Sequence, residues 1–95
     1  MVRVVVKYLG GISVVTQVER ETIQTRETTL GAILQMIFDR YNEDFEREVC
    51  EPGTRDLKEY ITIVLNGQAV PHADLDSTEV SDGDEIAWLP PILGG

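Results

Sequence analysis

The stretch that decides the fold reads SDGDEIAWLPPILGG and spans residues 81–95. Its apolar residues Ile86 and Trp88 stand two positions apart, which is the spacing by which a half-buried strand turns one face to a core. The turn-forming triplet 82–84 precedes them, and prolines at 90 and 91 follow them. Because proline lacks the N–H that a sheet ladder needs, the sequence predicts a final strand that stops there and a short arm beyond it.

The arm ends on Gly94-Gly95. At ordinary glycine usage, two glycines in the last two places occur by chance about once in 200 chains. Neither residue has a Cβ, so the backbone can thread a narrow channel and present the Gly95 carboxylate to the active site of another enzyme. An arm of this composition is typical of a substrate.

The run from Asp82 to Gly95 resembles the end of the MoaD/ThiS family of ubiquitin-like sulfur carriers, and it looks most like the small subunit of molybdopterin synthase. Members of that group end with an Asp-Gly-Asp turn, an apolar strand, Pro-Pro and Gly-Gly. The resemblance is specific over these last 14 residues. Over the rest of the chain it rests on the order of elements.

The resemblance implies an α+β protein with the β-grasp, or ubiquitin-like, fold. In that fold a mixed sheet of four to five strands packs on one main α-helix, with the first and last strands side by side at its centre. The expected division is a single domain over residues 1–90 and a flexible tail over residues 91–95.

Size and charge agree with one small domain. The chain has 95 residues, of which 42% are apolar and 26% charged, as in ordinary globular proteins. Its net charge of −9 would repel phosphate backbones, so nucleic-acid binding is disfavoured and a basic protein partner is favoured. Solubility alone explains most of these carboxylates equally well.

The compartment predicted from the sequence is the cytoplasm. The chain has no apolar run of the ~18 residues that a membrane helix needs, and it does not begin with a signal-peptide pattern. The single cysteine, Cys50, cannot form an internal disulfide, and its neighbours Glu48 and Glu51 disfavour a reactive thiolate. One cysteine and one histidine, His72, do not make a metal site, and His72 is predicted to be a solvated loop residue.

Two strands are predicted in the first part of the chain. Residues 2–9 alternate around Arg3 and Lys7 and predict the first strand. Gly10-Gly11 then predicts a tight turn, and residues 12–18 predict a second strand that completes a hairpin. Residues 19–27 lack a sustained pattern, although Ile23 could extend the second strand.

One helix and a second hairpin are predicted in the remainder. Thr28 or Thr29 can cap a helix whose apolar residues fall on one face, namely Leu30, Ile33, Leu34, Ile37, Phe38 and Tyr41. Residues 42–60 are highly charged and allow a short helical turn before Pro52-Gly53. Strands over 61–65 and 68–70 join at Asn66-Gly67, and residues 74–80 are a connector with at most one tight turn.

The resemblance also implies the chemistry. An E1-like enzyme that uses ATP and magnesium would adenylate the Gly95 carboxylate, and a sulfur-donor enzyme would convert it to a thiocarboxylate. The protein would not be an enzyme by itself and would hold no permanent cofactor. It would be the sulfur-donating subunit of a larger enzyme, with the large subunit of molybdopterin synthase as the favoured acceptor. Predicted partner contacts are Trp88, Pro90, Pro91, Ile92, Leu93 and Gly94, although for Trp88 a place in the core of the last strand is favoured over an exposed contact.

Three other functions fit the same arm. The activated Gly95 could be joined to lysines of other proteins, as in a ubiquitin-like modifier. The sulfur could instead serve thiamine thiazole synthesis. In the third case the glycines are incidental and the domain is a non-covalent interaction module. The long segment 42–60 could alter which partner docks.

Overall fold

The five-stranded sheet is mixed and places the two ends of the fold at its centre. The structure is a computed structural model that describes residues 1–91. The strands are β1 (Val2–Tyr8), β2 (Arg20–Thr25), β3 (Thr62–Leu65), β4 (Gln68–Val70) and β5 (Glu85–Leu89). Their order in the sheet is β2-β1-β5-β3-β4, with β1 and β5 parallel and the other pairs antiparallel. The predicted β-grasp arrangement is confirmed.

One main helix covers the sheet, as predicted. It is α2 (Leu30–Arg40), where α1 is the shorter helix Gly11–Thr16 that precedes it. The hydroxyl of Thr29 accepts a hydrogen bond from the Ala32 N–H at 3.3 Å and caps the helix start. The apolar stripe faces inward, and Leu30, Ile33 and Ile37 are fully buried.

The prediction of a strand over residues 12–18 was wrong, because this segment contains α1. Ile12 and Thr16 both point into the protein, and their spacing of four is helical. Val14 lies between them on the exposed face of the helix. The burial of Ile12 and Thr16 thus outweighs the strand preference of the β-branched residues. The second strand is β2, which runs through the segment predicted to be irregular and buries Ile23 and Thr25.

The segment between residues 42 and 60 contains α3 (Glu43–Val49), so the predicted short helical piece is confirmed. The Asn42 side chain caps it by accepting a hydrogen bond from the Asp44 N–H at 3.0 Å. Beyond α3, the guanidinium of Arg55 bonds Glu46 at 2.8 Å and Asp39 at 2.9 Å. This side chain ties the loop back to both helices.

The connector before β5 is more ordered than predicted. A 3₁₀ helix spans His72–Ser77, where at most one tight turn was expected. The hydroxyls of Ser77 and Thr78 both donate to the Asp74 carbonyl, at 3.1 and 2.7 Å. Local side chains thus supply the bonds that close these turns, a stabilisation that apolar periodicity does not reveal.

An aromatic core lies between the sheet and the helices. The Trp88 ring is 5.1 Å from Phe45 and 5.8 Å from Phe38, between ring centroids, and both pairs are edge-to-face. Tyr8 and Tyr41 extend the cluster towards β2. In the part of the chain that the structure describes, no helix is long and apolar enough to cross a bilayer.

Candidate functional site at the root of the C-terminal arm

The strand that leads to the arm is held on both edges. Tyr8 of β1 lies opposite Trp88, and Thr62 of β3 lies opposite Leu89 on the other side. One residue beyond β1, the Leu9 N–H donates to the Trp88 carbonyl at 3.2 Å. The backbone is therefore bonded on both sides up to Trp88, and Leu89 is still paired with β3.

The acidic turn at residues 82–84 locks the entry to β5. The Asp82 carboxylate accepts the Arg3 N–H at 2.8 Å, and the Gly83 N–H donates to the Arg3 carbonyl at 2.7 Å. Gly83 has φ 91°, a conformation that favours glycine. The Asp84 carboxylate accepts the Ser81 N–H at 2.8 Å and the Asn66 side-chain amide at 3.0 Å. The carboxylates of this turn thus serve the fold, a use that turn chemistry alone did not predict.

Pro90 leaves the sheet against the backbone of Gly10. An ideal Cβ built on Gly10 would stand 2.8 Å from Pro90 Cγ, a separation shorter than real Cβ atoms show. Gly10 has φ 56° and ψ −136°, and the chain turns there from β1 into α1. Pro90 and Pro91 are both partly exposed. Sequence reasoning missed Gly10, since only the register of β1 against β5 brings it beside Pro90.

Trp88 belongs to the core. Its side chain has no exposed surface, and its indole N–H has no hydrogen-bond acceptor within residues 1–91. This placement corrects the prediction of Trp88 as a partner contact, because the strand alternation that buries Ile86 also turns Trp88 inward. The other predicted site residues, Ile92, Leu93, Gly94 and Gly95, lie outside the described residues.

A carboxylate shared by two tyrosines lies behind the root of the arm. The Tyr8 hydroxyl donates to Glu21 Oε2 at 2.6 Å, and the Tyr41 hydroxyl donates to the same oxygen. Arg40 Nε stands 3.4 Å from the other oxygen. Burial, followed by the bond to Glu21, raises the pKa of both tyrosines, that of Tyr41 to about 12. Both hydroxyls are therefore neutral donors, and the cluster joins β1, β2 and α2.

The remaining candidate groups are poorly suited to chemistry. Cys50 is 1% exposed, and burial, followed by the charges of Glu46 and Asp56, raises its thiol pKa to about 11. The thiol is thus protonated at neutral pH, as predicted, although different carboxylates are responsible. The exposed His72 bonds the Ile61 carbonyl through Nε2 at 2.6 Å. No group of three or more potential metal ligands occurs within residues 1–91.

The sequence matches a known family over most of its length. The model of the ThiS family covers residues 6–95, which includes the end of β1, the other four strands, the two prolines and the glycine pair. The chain belongs to the ThiS family. The resemblance seen at the C-terminus therefore extends over most of the domain.

Similar proteins occur among the archaea. A protein of Archaeoglobus fulgidus assigned as a sulfur carrier is 29% identical over 73 residues, which is 77% of this chain and 81% of that protein. Small archaeal modifier protein 3 of Haloferax volcanii is 29% identical over 69 residues, or 73% of this chain and 72% of that protein.

A solved structure supports the fold. The Pyrococcus furiosus protein assigned as molybdopterin converting factor subunit 1 superposes with a TM-score of 0.74 at 29% identity, covering 97% of this chain and 100% of that one. The similar proteins thus include one assigned as a sulfur carrier and one named as a protein modifier.

Proposed function

We propose that this ThiS-family protein carries sulfur on the carboxyl group of Gly95 and donates it in molybdopterin synthesis. The observation that carries this proposal is the anchoring of β5, which is paired with β1 up to Trp88 and with β3 up to Leu89. The domain is a rigid base from which residues 91–95 leave as the reactive arm. The family match through residue 95 supports the same assignment.

The chemistry requires an activating partner. A Gly95 carboxylate oxygen attacks the α-phosphorus of ATP, pyrophosphate leaves, and an acyl-adenylate forms. A sulfur nucleophile at the sulfide level then adds to the acyl carbon, the bond to AMP breaks, and a thiocarboxylate remains. Both steps belong to an E1-like enzyme with magnesium and to a sulfur-donor enzyme. This chain contributes the acyl group and its presentation.

The sulfur acceptor that we propose is the large subunit of molybdopterin synthase. Support for the large subunit of molybdopterin synthase comes from the Pyrococcus furiosus relative and from the Pro-Pro spacing before the glycines. Ile92 and Leu93 would occupy an apolar groove of that subunit, and Pro90 and Pro91 would limit the entropy lost on docking. The net charge of −9 favours partners with basic surfaces.

A second candidate function is protein modification. The similarity to small archaeal modifier protein 3 favours it, and the adenylated Gly95 would serve equally. A lysine amine would then displace AMP and form an isopeptide bond. The two fates share activation and differ in the nucleophile. Thiamine thiazole synthesis would use the same thiocarboxylate with a different acceptor.

Intact-mass measurement tests the carrier proposal. The protein is incubated with ATP, magnesium, an E1-like enzyme and a sulfur donor, and loading adds roughly 16 Da as sulfur replaces oxygen. A variant without Gly94 and Gly95 is the matched control and should keep its melting temperature but gain no mass. Loading of that variant would contradict the proposal.

Two additions separate the fates of the loaded carrier. Loss of the added mass with the molybdopterin synthase large subunit and its pterin precursor identifies the acceptor. Tail-linked adducts on lysines in a cell extract identify a modifier. If several activating enzymes leave the mass unchanged while partner binding survives loss of the arm, the domain is an interaction module.

A further inference from the structure

The register of β1 against β5 brings Gly10 to the root of the arm. Tyr8 pairs with Trp88, and the N–H of Leu9, the first residue after β1, bonds the Trp88 carbonyl. Continuing the same register by two residues on each side places Gly10 beside Pro90. The 2.8 Å from a Cβ built on Gly10 to Pro90 Cγ shows that the proline ring occupies the space a side chain would need.

Gly10 has little room to retreat from Pro90. Its carbonyl accepts the Ser13 N–H at 3.1 Å and the Ser13 hydroxyl at 2.8 Å, which holds it to the first turn of α1. Behind it, a Cβ on Gly11 would stand 3.2 Å from Glu48 Oε1 of α3. The bonds to Ser13 and the packing of α1 on α3 hold the backbone of Gly10 in place. A methyl group added to Gly10 would therefore displace Pro90.

Pro90 is poorly able to absorb such a displacement locally. Its ring fixes φ, so a displacement larger than a change of ring pucker moves the whole ring and turns the following residues. Gly95 is five residues further on and, at up to about 3.5 Å per residue, can lie ~17 Å away. A change of direction at the root therefore changes the region that the Gly95 carboxylate can reach.

We propose that Gly10 is a positioning residue for the arm: its bare backbone seats Pro90 and so sets the direction in which Gly95 is presented to the activating enzyme. This inference rests on the proposed function, because presentation matters only if Gly95 reacts. Gly10 acts through Pro90.

The test is a double-mutant cycle with a matched glycine control. Gly10→Ala, Pro90→Ala and the double variant are compared with wild type in the loading assay. Gly53→Ala is the control, since Gly53 has φ 75° and a Cβ there would meet nothing within 4 Å. Both alanines suffer backbone strain at positive φ, but only the one at position 10 meets a proline.

We expect Gly10→Ala to lower kcat for loading about tenfold while KM stays within about twofold, because the domain still docks but its carboxylate is misplaced. Gly53→Ala should load within about twofold of wild type. Pro90→Ala removes Cγ and leaves Cβ, which is 3.8 Å from the Cβ built on Gly10. In that background Gly10→Ala should therefore have little further effect on loading. Equal loading by Gly10→Ala and Gly53→Ala, or effects that simply multiply in the double variant, would overturn the inference.

A nuclear Overhauser effect between Gly10 Hα and Pro90 Hγ tests the contact without any enzyme. Absence of this effect in wild type would show that Pro90 does not pack against Gly10 and would overturn the inference. If wild type shows the contact but is never loaded, the proposed function fails instead. If Gly10→Ala alone does not fold, the double-mutant cycle is read from melting temperatures instead of loading rates. Recovery of folding in the double variant supports the inference, and failure to recover overturns it.

Discussion

Asn66 and Asp84 join the β3–β4 turn to the start of β5 through their side chains. Asn66 Nδ2 donates to Asp84 Oδ1 at 3.0 Å, and Asn66 Oδ1 accepts the Glu85 N–H at 2.9 Å. Asn66 also has φ 50°, so one residue provides both the turn conformation and the link. The hairpin therefore fixes the end of β5 opposite the arm.

Replacing Asn66 by glycine should separate these two contributions. Glycine keeps the positive φ but removes both side-chain bonds, so the free energy of unfolding should fall by about 1 kcal/mol, since exposed bonds contribute at the low end of the usual range. Urea denaturation measures the change. Loading of Gly95 should stay at the wild-type rate at a temperature where both proteins are folded. Unchanged stability would show that the bonds contribute nothing.

The two tyrosines that share Glu21 predict a loss of stability at high pH. The pKa of Tyr41 is about 12 in the folded protein against 10.0 ordinarily, and that of Tyr8 is also raised. The folded state therefore holds protons that the unfolded state releases. This stabilisation is complete below pH 10 and is lost as pH rises through the folded values.

Melting temperatures between pH 8 and about 12 test this linkage. Wild type should lose stability more steeply above pH 10 than Tyr41→Phe, which lacks one of the titrating hydroxyls. Comparison of the two curves removes the contribution of groups common to both proteins. Parallel curves would show that Tyr41 is not protonated preferentially in the folded state.

Trp88→Phe tests whether Trp88 belongs to the core alone. The smaller ring should lower the free energy of unfolding by about 1–3 kcal/mol, as expected for a change of volume in a packed core. Loss of the indole N–H should add little, because that group has no acceptor within residues 1–91. Chemical denaturation gives the stability, and binding to the activating enzyme gives the comparison. Unchanged stability with weaker binding would restore the partner-contact role.

Cys50 should resist alkylation in the folded protein. With a thiol pKa of about 11 and 1% exposure, it offers iodoacetamide almost no accessible thiolate near pH 7. We expect at least a tenfold slower gain of label than in the same protein in urea, measured by intact mass. Equal rates in the two states would contradict the buried position.

The segments that the sequence predicts well are those with a long or unambiguous pattern. Six apolar residues over three turns identify α2, and Asn66-Gly67 identifies the β3–β4 hairpin. By contrast, the segment 12–18 is short and its apolar residues are all β-branched, so their own pattern fits a strand. The bend at Gly10 and the burial of Ile12 and Thr16 favour a helix over the strand.

Some residues of the candidate site can be predicted from the sequence, and others only from the tertiary structure. Pro90 and Pro91 are visible in the sequence as the end of a strand, because proline acts through its own backbone. The role of Gly10 depends on a neighbour at the other end of the sequence, and only the parallel pairing of β1 and β5 brings the two together. The same limit applies to Glu21, whose partners Tyr8 and Tyr41 come from other elements.

The position of β5 between β1 and β3 has a consequence for biosynthesis. The strand that completes the middle of the sheet is the last of the five to leave the ribosome. A nascent chain that stops before residue 85 leaves two strand edges unpaired and the aromatic core without Trp88, and such species are prone to aggregation and degradation. A chain can therefore acquire its native sheet only when the root of the arm has also been made.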